Sequence, residues 1–175
     1  MTPITRPVAG EYAPYYETYF AQLPAGADLL TLLREQPAAL RHILTGVTDQ
    51  EAGQPTAPGK WSIKQILSHL VDCERVFAYR ALAIARGEQQ PLPGFDQDDY
   101  VRQAHVDRPV TELLAEHAAQ RAATLALLQG LAPDAFQRKG TAAGQPVSVR
   151  ALAWVIAAHE EHHHQLLRRH LHPAP

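Results

Sequence analysis

Cysteine is almost missing from this chain. Cys73 stands alone, so no internal disulfide can form and a reducing compartment is expected. Lysine is scarce too: Lys60, Lys64 and Lys139 are the only ones, and arginine carries most of the positive charge. Basic and acidic residues nearly cancel, 16 against 18, for a formal charge of −2. That balance argues against a nucleic-acid backbone or an acidic membrane as the main partner. No run approaches the ~20 apolar residues that a membrane-spanning helix needs. The opening Met1-Thr2-Pro3-Ile4-Thr5-Arg6 lacks the apolar core of a signal peptide. A cytoplasmic protein is therefore expected, with neither nucleic acid nor membrane as partner. Repeats, low-complexity segments and sustained strand-type alternation are absent as well.

What the chain does have is helical period. Of its 175 residues, 46% are apolar and 19% charged, a globular composition long enough to bury a sizeable core. No linker separates two apolar sets, so residues 1–175 read as a single domain. The aromatic-rich segment 1–27 reads as an extension packed on it or against a second subunit. Five of the 12 aromatic residues, Tyr12, Tyr15, Tyr16, Tyr19 and Phe20, fall in that segment.

Four stretches carry an apolar stripe at three- and four-residue steps. The first runs from Asp28, a suitable N-cap, to Val47, and Pro37 should kink or split it. The second runs from Ser62 to Arg86, with Gly87 as its stop. The third starts at Pro109 or Thr111 and ends at Gln129 before Gly130. The fourth runs from Ser148 to about His170, and Pro173 ends any continuation. The connection from Gly87 to Arg108 is longer than ordinary loops and is expected to be functional or locally folded. Four amphipathic helices with long connections predict an all-α four-helix bundle with at least one crossover.

Histidine occurs 10 times, and six of those lie at or after His159. On a helix, His159 and His163 stand one turn apart and about 40° apart around the axis, flanking the stripe set by Leu152, Ile156 and Leu166. Two imidazoles so placed form a chelating edge. A catalytic divalent ion takes about three protein ligands and an open position. The second helix offers His69, beside the stripe of Ile66, Cys73 and Val76. Two facing helices would bring His69 to the His159/His163 edge, a three-histidine site in the core. The string His159-Glu160-Glu161-His162-His163 also fits the zinc-protease pattern, with Glu160 as base. No sheet is evident to hold a peptide and little chain follows His163, so that reading is set aside.

The remaining polar residues read more plainly. His162 lies at the edge of the histidine face, while His164 and Glu161 point away. His162, His164, His170 and His172 are expected at the surface or at the helix end. Asp72 reads as a solvated helix acid rather than an orienting partner of His69. Cys73 reads as a buried inert thiol rather than a ligand or nucleophile. His117 and Arg121 read as a partly buried pair. Arg80 either holds an anionic substrate group or pairs with an acid of the bundle. Asp96, Asp98 and Asp99 are loop caps or close the site. Trp154, off its helix stripe, hints at a further packed surface or a dimer contact.

Three blocks taken together resemble the DinB/YfiT-like superfamily. They are Gly59-Lys60-Trp61-Ser62 through His69-Leu70 to Pro91-Leu92-Pro93-Gly94-Phe95-Asp96, the final Ser148-Val149-Arg150-Ala151-Leu152 leading to His159-x-x-x-His163-x-Gln165-Leu166, and the opening Glu11-Tyr12-x-Pro14-Tyr15-Tyr16. The resemblance implies a bundle of up-down-down-up topology, a divalent metal (often zinc or nickel) on His69, His159 and His163, and a homodimer. It implies a small-molecule substrate, acted on by a metal-dependent hydrolase or a thiol S-transferase that uses a low-molecular-weight thiol. A non-enzymatic metal-binding stress-response or dimerisation module is the alternative. Pro37 departs from the pattern, and the run His162-His163-His164 leaves the ligand register open by one residue.

Overall fold

A computed structural model describes residues 3–172. Pro173, and Met1 and Thr2 of the opening segment, lie outside them. In chain order the elements are a 3-10 turn Pro14–Tyr16, α1 Glu17–Phe20, α2 Leu29–Ile43, α3 Asp49–Gly53, α4 Ile63–Ala85, α5 Gln97–Gln103, α6 Val110–Gln129, a second 3-10 turn Pro133–Gln137, β1 Lys139–Ala142, β2 Gln145–Ser148 and α7 Val149–Leu171. Among the described residues no helix is long and apolar enough to cross a membrane.

Local chemistry sets the ends of the four long helices. Asp28 caps α2 by accepting from Thr31 N at 2.9 Å. Ser62 and Gln65 form a reciprocal capping box on α4, which satisfies two N–H groups that have no partner inside the helix. Gly87, at φ +89°, closes α4: its N–H reaches Ile84 O and the next N–H, of Glu88, reaches Ala83 O. That is the left-handed C-terminal turn glycine makes without strain. Ser148 caps α7 through Ala151 N.

Contacts fix the directions. α4 and α7 are antiparallel, since His69 meets His163 and the later Phe77 meets the earlier His159. α4 and α6 are parallel: Ile66 and Leu67 share a cluster with Val110 and Leu113, Arg75 pairs with Glu116 at 2.7 Å, and Ile84 shares a cluster with Leu128. α2 runs parallel to α7, with Gln36 Nε2 donating to Ala157 O at 2.7 Å and Leu40 beside Leu167. The bundle is thus a four-helix bundle with up-down-down-up topology. Parallel α4 and α6 require the crossover at 86–109, which is locally folded around α5. The carboxylate of Asp96 caps α5 by accepting from Asp98 N and Asp99 N.

Pro37 does not split α2, which is continuous through it. One expectation needs correction. The stretch 133–147, read without strands, contains the antiparallel hairpin β1–β2, turned at Ala143 (φ +50°) and Gly144 (φ +76°). Positive φ at both turn residues matches the strand twist of a two-residue hairpin. Gly140 lies so close to α4 that a Cβ there would meet Ile84 Cγ1 at 2.8 Å. Leu92 of the crossover bonds this hairpin through Thr141 O and Ala143 N, which holds Phe95 beside α4. Trp154 does meet a further packed surface, and that surface is its own chain. It is 1% exposed, its Nε1 donates to Ile4 O and Thr5 O, and the Arg6 guanidinium lies 5.2 Å from its ring.

The apolar core is in two parts. One gathers Leu33, Phe77, Ile84, Leu128 and Leu152; the other gathers Leu40, Ile63, Leu67, Leu113 and Leu167. Near the level where they meet, buried polar side chains come from all four long helices: Gln36, His69, Glu74, His117, Arg121, His159, Glu160, His163 and His164. A buried polar group has to find a partner or it costs stability.

Candidate metal centre

His69 on α4 and His159 and His163 on α7 converge in this level. Their Nε2 atoms meet: His69 to His159 at 3.0 Å, and His163 to His159 at 3.2 Å. One nitrogen of each ring lies within 4.8 Å of the others, and all three residues are buried. Hydrogen bonding alone does not account for this. A neutral imidazole has one N–H and one lone pair, so His159 Nε2 cannot accept from both neighbours along its single lone pair. Nitrogens around a tetrahedral zinc, with bonds of 2.0–2.1 Å, stand about 3.3 Å apart. The triad therefore fits a divalent ion by donor type, spacing and burial.

The electrostatics agree. Burial pushes His69 down to about 4. Burial, with His69, His162 and His164 nearby, pushes His163 down to about 3. His159 falls well below its ordinary value through burial and then through His163 and His69. All three are neutral near pH 7, the form that has a lone pair for a metal.

The other expected residues fall into place around them. The Cys73 thiol packs beside the His69 ring, 3.5 Å from Nδ1 and 3.6 Å from Nε2. Burial raises its pKa to about 12, so it is a neutral thiol and not an activated nucleophile. Asp72 pairs with Arg75 at 3.3 Å and does not orient His69. His162 is not at the open surface: its ring stacks on Tyr19 with centroids 4.5 Å apart. Arg80 is buried and meets a carbonyl, not an acid. His170 and His172 are exposed, as expected.

His164 is the clear miss. Expected outside, it is 0% exposed, with Nε2 3.1 Å from Glu160 Oε1 and Nδ1 3.7 Å from Glu161 Oε2. It belongs to a second buried cluster, behind the triad. Arg121 of α6 donates from Nε and Nη2 to the two oxygens of Glu74, both at 2.9 Å, and also contacts Glu160. Its Nη1 reaches Leu33 O at 2.9 Å and Gln36 Oε1 at 3.1 Å. His117 Nε2 lies 3.3 Å from Glu160 Oε2. Burial alone would raise the Glu160 carboxyl, but Arg121 together with His117 and His164 outweighs it and the pKa falls well below the ordinary range. Glu74, His117 and Glu160 also have metal-ligand types and spacing, yet Arg121 already supplies their cation. The signal missed in the sequence was the triplet Glu74, Arg121 and Glu160: three charges on core faces, which have to pair.

Two cavities open onto the triad. One, of about 180 Å³, reaches His159 among Tyr15, Tyr16, Tyr19, Phe77 and Arg80. The other, of about 520 Å³, reaches His163 among Trp61, Ile66, Leu166 and Lys60.

A profile of the DinB superfamily matches residues 32–167. The chain belongs to this superfamily. It is similar to a Bacillus pumilus protein named provisionally as a metal-dependent hydrolase, 25% identical over 93% of this chain and 92% of the relative. A Geobacillus thermodenitrificans protein of the same provisional name is 26% identical over 78% of each. Among solved structures, YfiT from Bacillus subtilis aligns with a TM-score of 0.72 and 19% identity, covering 94% of this chain and 92% of that one. Its description gives it an unusual four-helix bundle topology. The mycothiol-dependent maleylpyruvate isomerase aligns at 0.65 and 19%, covering 84% and 61%. These likenesses show a DinB-like fold and a family of provisionally named metal-dependent hydrolases.

Proposed function

We propose that this DinB-superfamily chain is a metal-dependent enzyme that holds a divalent ion, zinc or nickel, on His69, His159 and His163 and acts on a small-molecule substrate. The observation that carries it is the meeting of three buried, neutral Nε2 atoms with no hydrogen-bond pattern that satisfies them together. Bound there, such an ion lowers the pKa of a coordinated water to about 7 or deprotonates a coordinated thiol. The chain's own side chains hold the donors neutral, exclude bulk water behind the triad with Leu70 and Ile156, and leave the site accessible from the two cavities.

A hydrolase reading is favoured by the names of the relatives that span most of the chain. A thiol S-transferase reading is favoured by the paired cavities at His159 and His163, which give a low-molecular-weight thiol and a second reactant separate approaches. The same proposal includes a homodimer and a cytoplasmic setting with neither nucleic acid nor membrane as partner. A non-enzymatic module would be favoured by a closed, four-ligand ion.

Elemental analysis of protein purified without affinity nickel tests the site. About one ion per chain is expected. At free zinc 100-fold above the dissociation constant, the folded state should gain about 2.7 kcal/mol, read as a rise in Tm that chelation reverses. The His159→Ala/His163→Ala variant should lose both responses. A wild type without stoichiometric metal, or a double variant that keeps it, overturns the site.

A further inference from the structure

The smaller cavity contains a charge that the triad does not explain. Arg80 is 6% exposed and has no acidic partner among the described residues. Its Nη2 donates to Pro93 O at 2.6 Å, and its guanidinium lies 5.7 Å from the Phe95 ring. No other protein hydrogen bond to its side chain is made among those residues. A buried guanidinium needs its charge met or it costs several kcal/mol, and one carbonyl with one ring face meets it only in part. Arg80 lines the same cavity as His159.

The surroundings limit what fits. The triad is neutral and the Cys73 thiol is neutral, so Arg80 is the one formal charge bordering this cavity. Tyr16, Tyr19, Phe77 and Phe95 give the walls an aromatic character. Engineered cavities of about 150 Å³ hold a benzene ring, so about 180 Å³ admits one ring with a short arm. Arg80 stands three residues beyond Phe77, one turn along α4, and the Phe77 ring packs on His159 with centroids 5.9 Å apart.

We infer that the site takes small carboxylates with an aromatic or short apolar body, the carboxylate paired with Arg80 and the opposite end directed to His159. This rests on the proposed function for the reacting end only; the anion pocket stands on Arg80 and the cavity. Charge-assisted pairing of a guanidinium with a carboxylate is among the stronger protein hydrogen bonds. Arginine also presents two parallel donors to it, so Arg80 acts as a specificity-determining residue.

Calorimetric titration of full-length protein with 4-phenylbutyrate and with 4-phenylbutanamide tests it, on both chelator-treated and zinc-loaded samples. The acid should bind about tenfold or more tightly than the amide, in chelated protein as well. Arg80→Met should abolish that preference, and Arg80→Lys should keep part of it. Equal affinities in the wild type, no binding of the acid at millimolar concentration, or a preference that survives Arg80→Met overturns the inference. If Arg80→Met does not fold, the wild-type comparison and Arg80→Lys decide. A preference with no stoichiometric metal leaves the anion pocket standing and sinks the metal reading; stoichiometric metal with no preference does the reverse.

Discussion

Two buried polar clusters occupy neighbouring faces of α7, and they handle charge in opposite ways. Behind the helix, Glu74 and Glu160 are carboxylates with a cation built into the chain: Arg121 reaches both, and through Leu33 O and Gln36 it also ties down α2. In front, His69, His159 and His163 offer three lone pairs with no cation from the chain. The first cluster has its cation in place and joins four helices. The second becomes complete only when something positive enters, and it is the one with cavities leading to it. Equal burial thus marks a clamp in one place and a binding site in the other.

The hardest blow to this contrast should come from Arg121→Met. It strands Glu74 and Glu160 without a counter-charge in the core, and breaking a buried pair in this way costs about 3–5 kcal/mol. In a chain of this size that is a drop of about 10 °C or more in Tm. His159→Ala/His163→Ala, measured in metal-free protein, should cost clearly less, because no charge is stranded. If the two losses are equal in thermal or urea unfolding, the triad is a structural hydrogen-bonded cluster and the contrast fails.

Acid and base should separate the clusters next, with a smaller effect. His69 and His163 titrate near 4 and 3 in the folded chain, against about 6.5 when unfolded. The unfolded state therefore binds protons first. Their contribution is present above about pH 6.5 and is lost as pH falls through the folded values. His164 runs the other way. Burial disfavours its charge, but Glu160 and Glu161 outweigh burial and its pKa is raised. Its contribution is full below about pH 6.5 and is lost as pH rises through the folded value. Urea midpoints of metal-free protein should fall on both sides. His163→Gln should flatten the acid limb and His164→Gln the alkaline limb. Swapped effects would mean that the charge states of the two clusters are assigned the wrong way round.

What the sequence made legible follows the reach of each signal. Asp28, Ser62, Asp96 and Ser148 act on backbone two or three residues away, so their roles can be read locally. His159 and His163 needed only the helical period, and His69 needed one assumption, that α4 and α7 face each other. His164 was misplaced, and the cover over Trp154 left open, for one shared reason. A single apolar stripe presumes a helix with a wet side, whereas α7 is buried over most of its circumference, and face logic fails for such a helix. The hairpin escaped because its strands have four residues each, too short for alternation to register. Arg121 could be placed inside the bundle but not matched to Glu74 and Glu160, whose meeting depends on three separate helices.

The smallest expected effect concerns Pro37, which tests how far the Arg121 clamp extends. Proline has no N–H, so in α2 it leaves the carbonyl four residues earlier without its helix bond. That carbonyl is Leu33 O, and it accepts from Arg121 Nη1 at 2.9 Å. The apparent defect therefore falls at the position where the clamp needs a free acceptor, and α2 runs on unbroken. Pro37→Ala restores an N–H but removes buried ring atoms, and the carbonyl it regains already had a partner. Stability should change by less than about 1 kcal/mol in urea unfolding, well short of the ~3 kcal/mol by which proline trails alanine inside an ordinary helix. A gain near that full value would show that Leu33 O is orphaned in the wild type, and that the Arg121 clamp does not extend to α2 through this carbonyl.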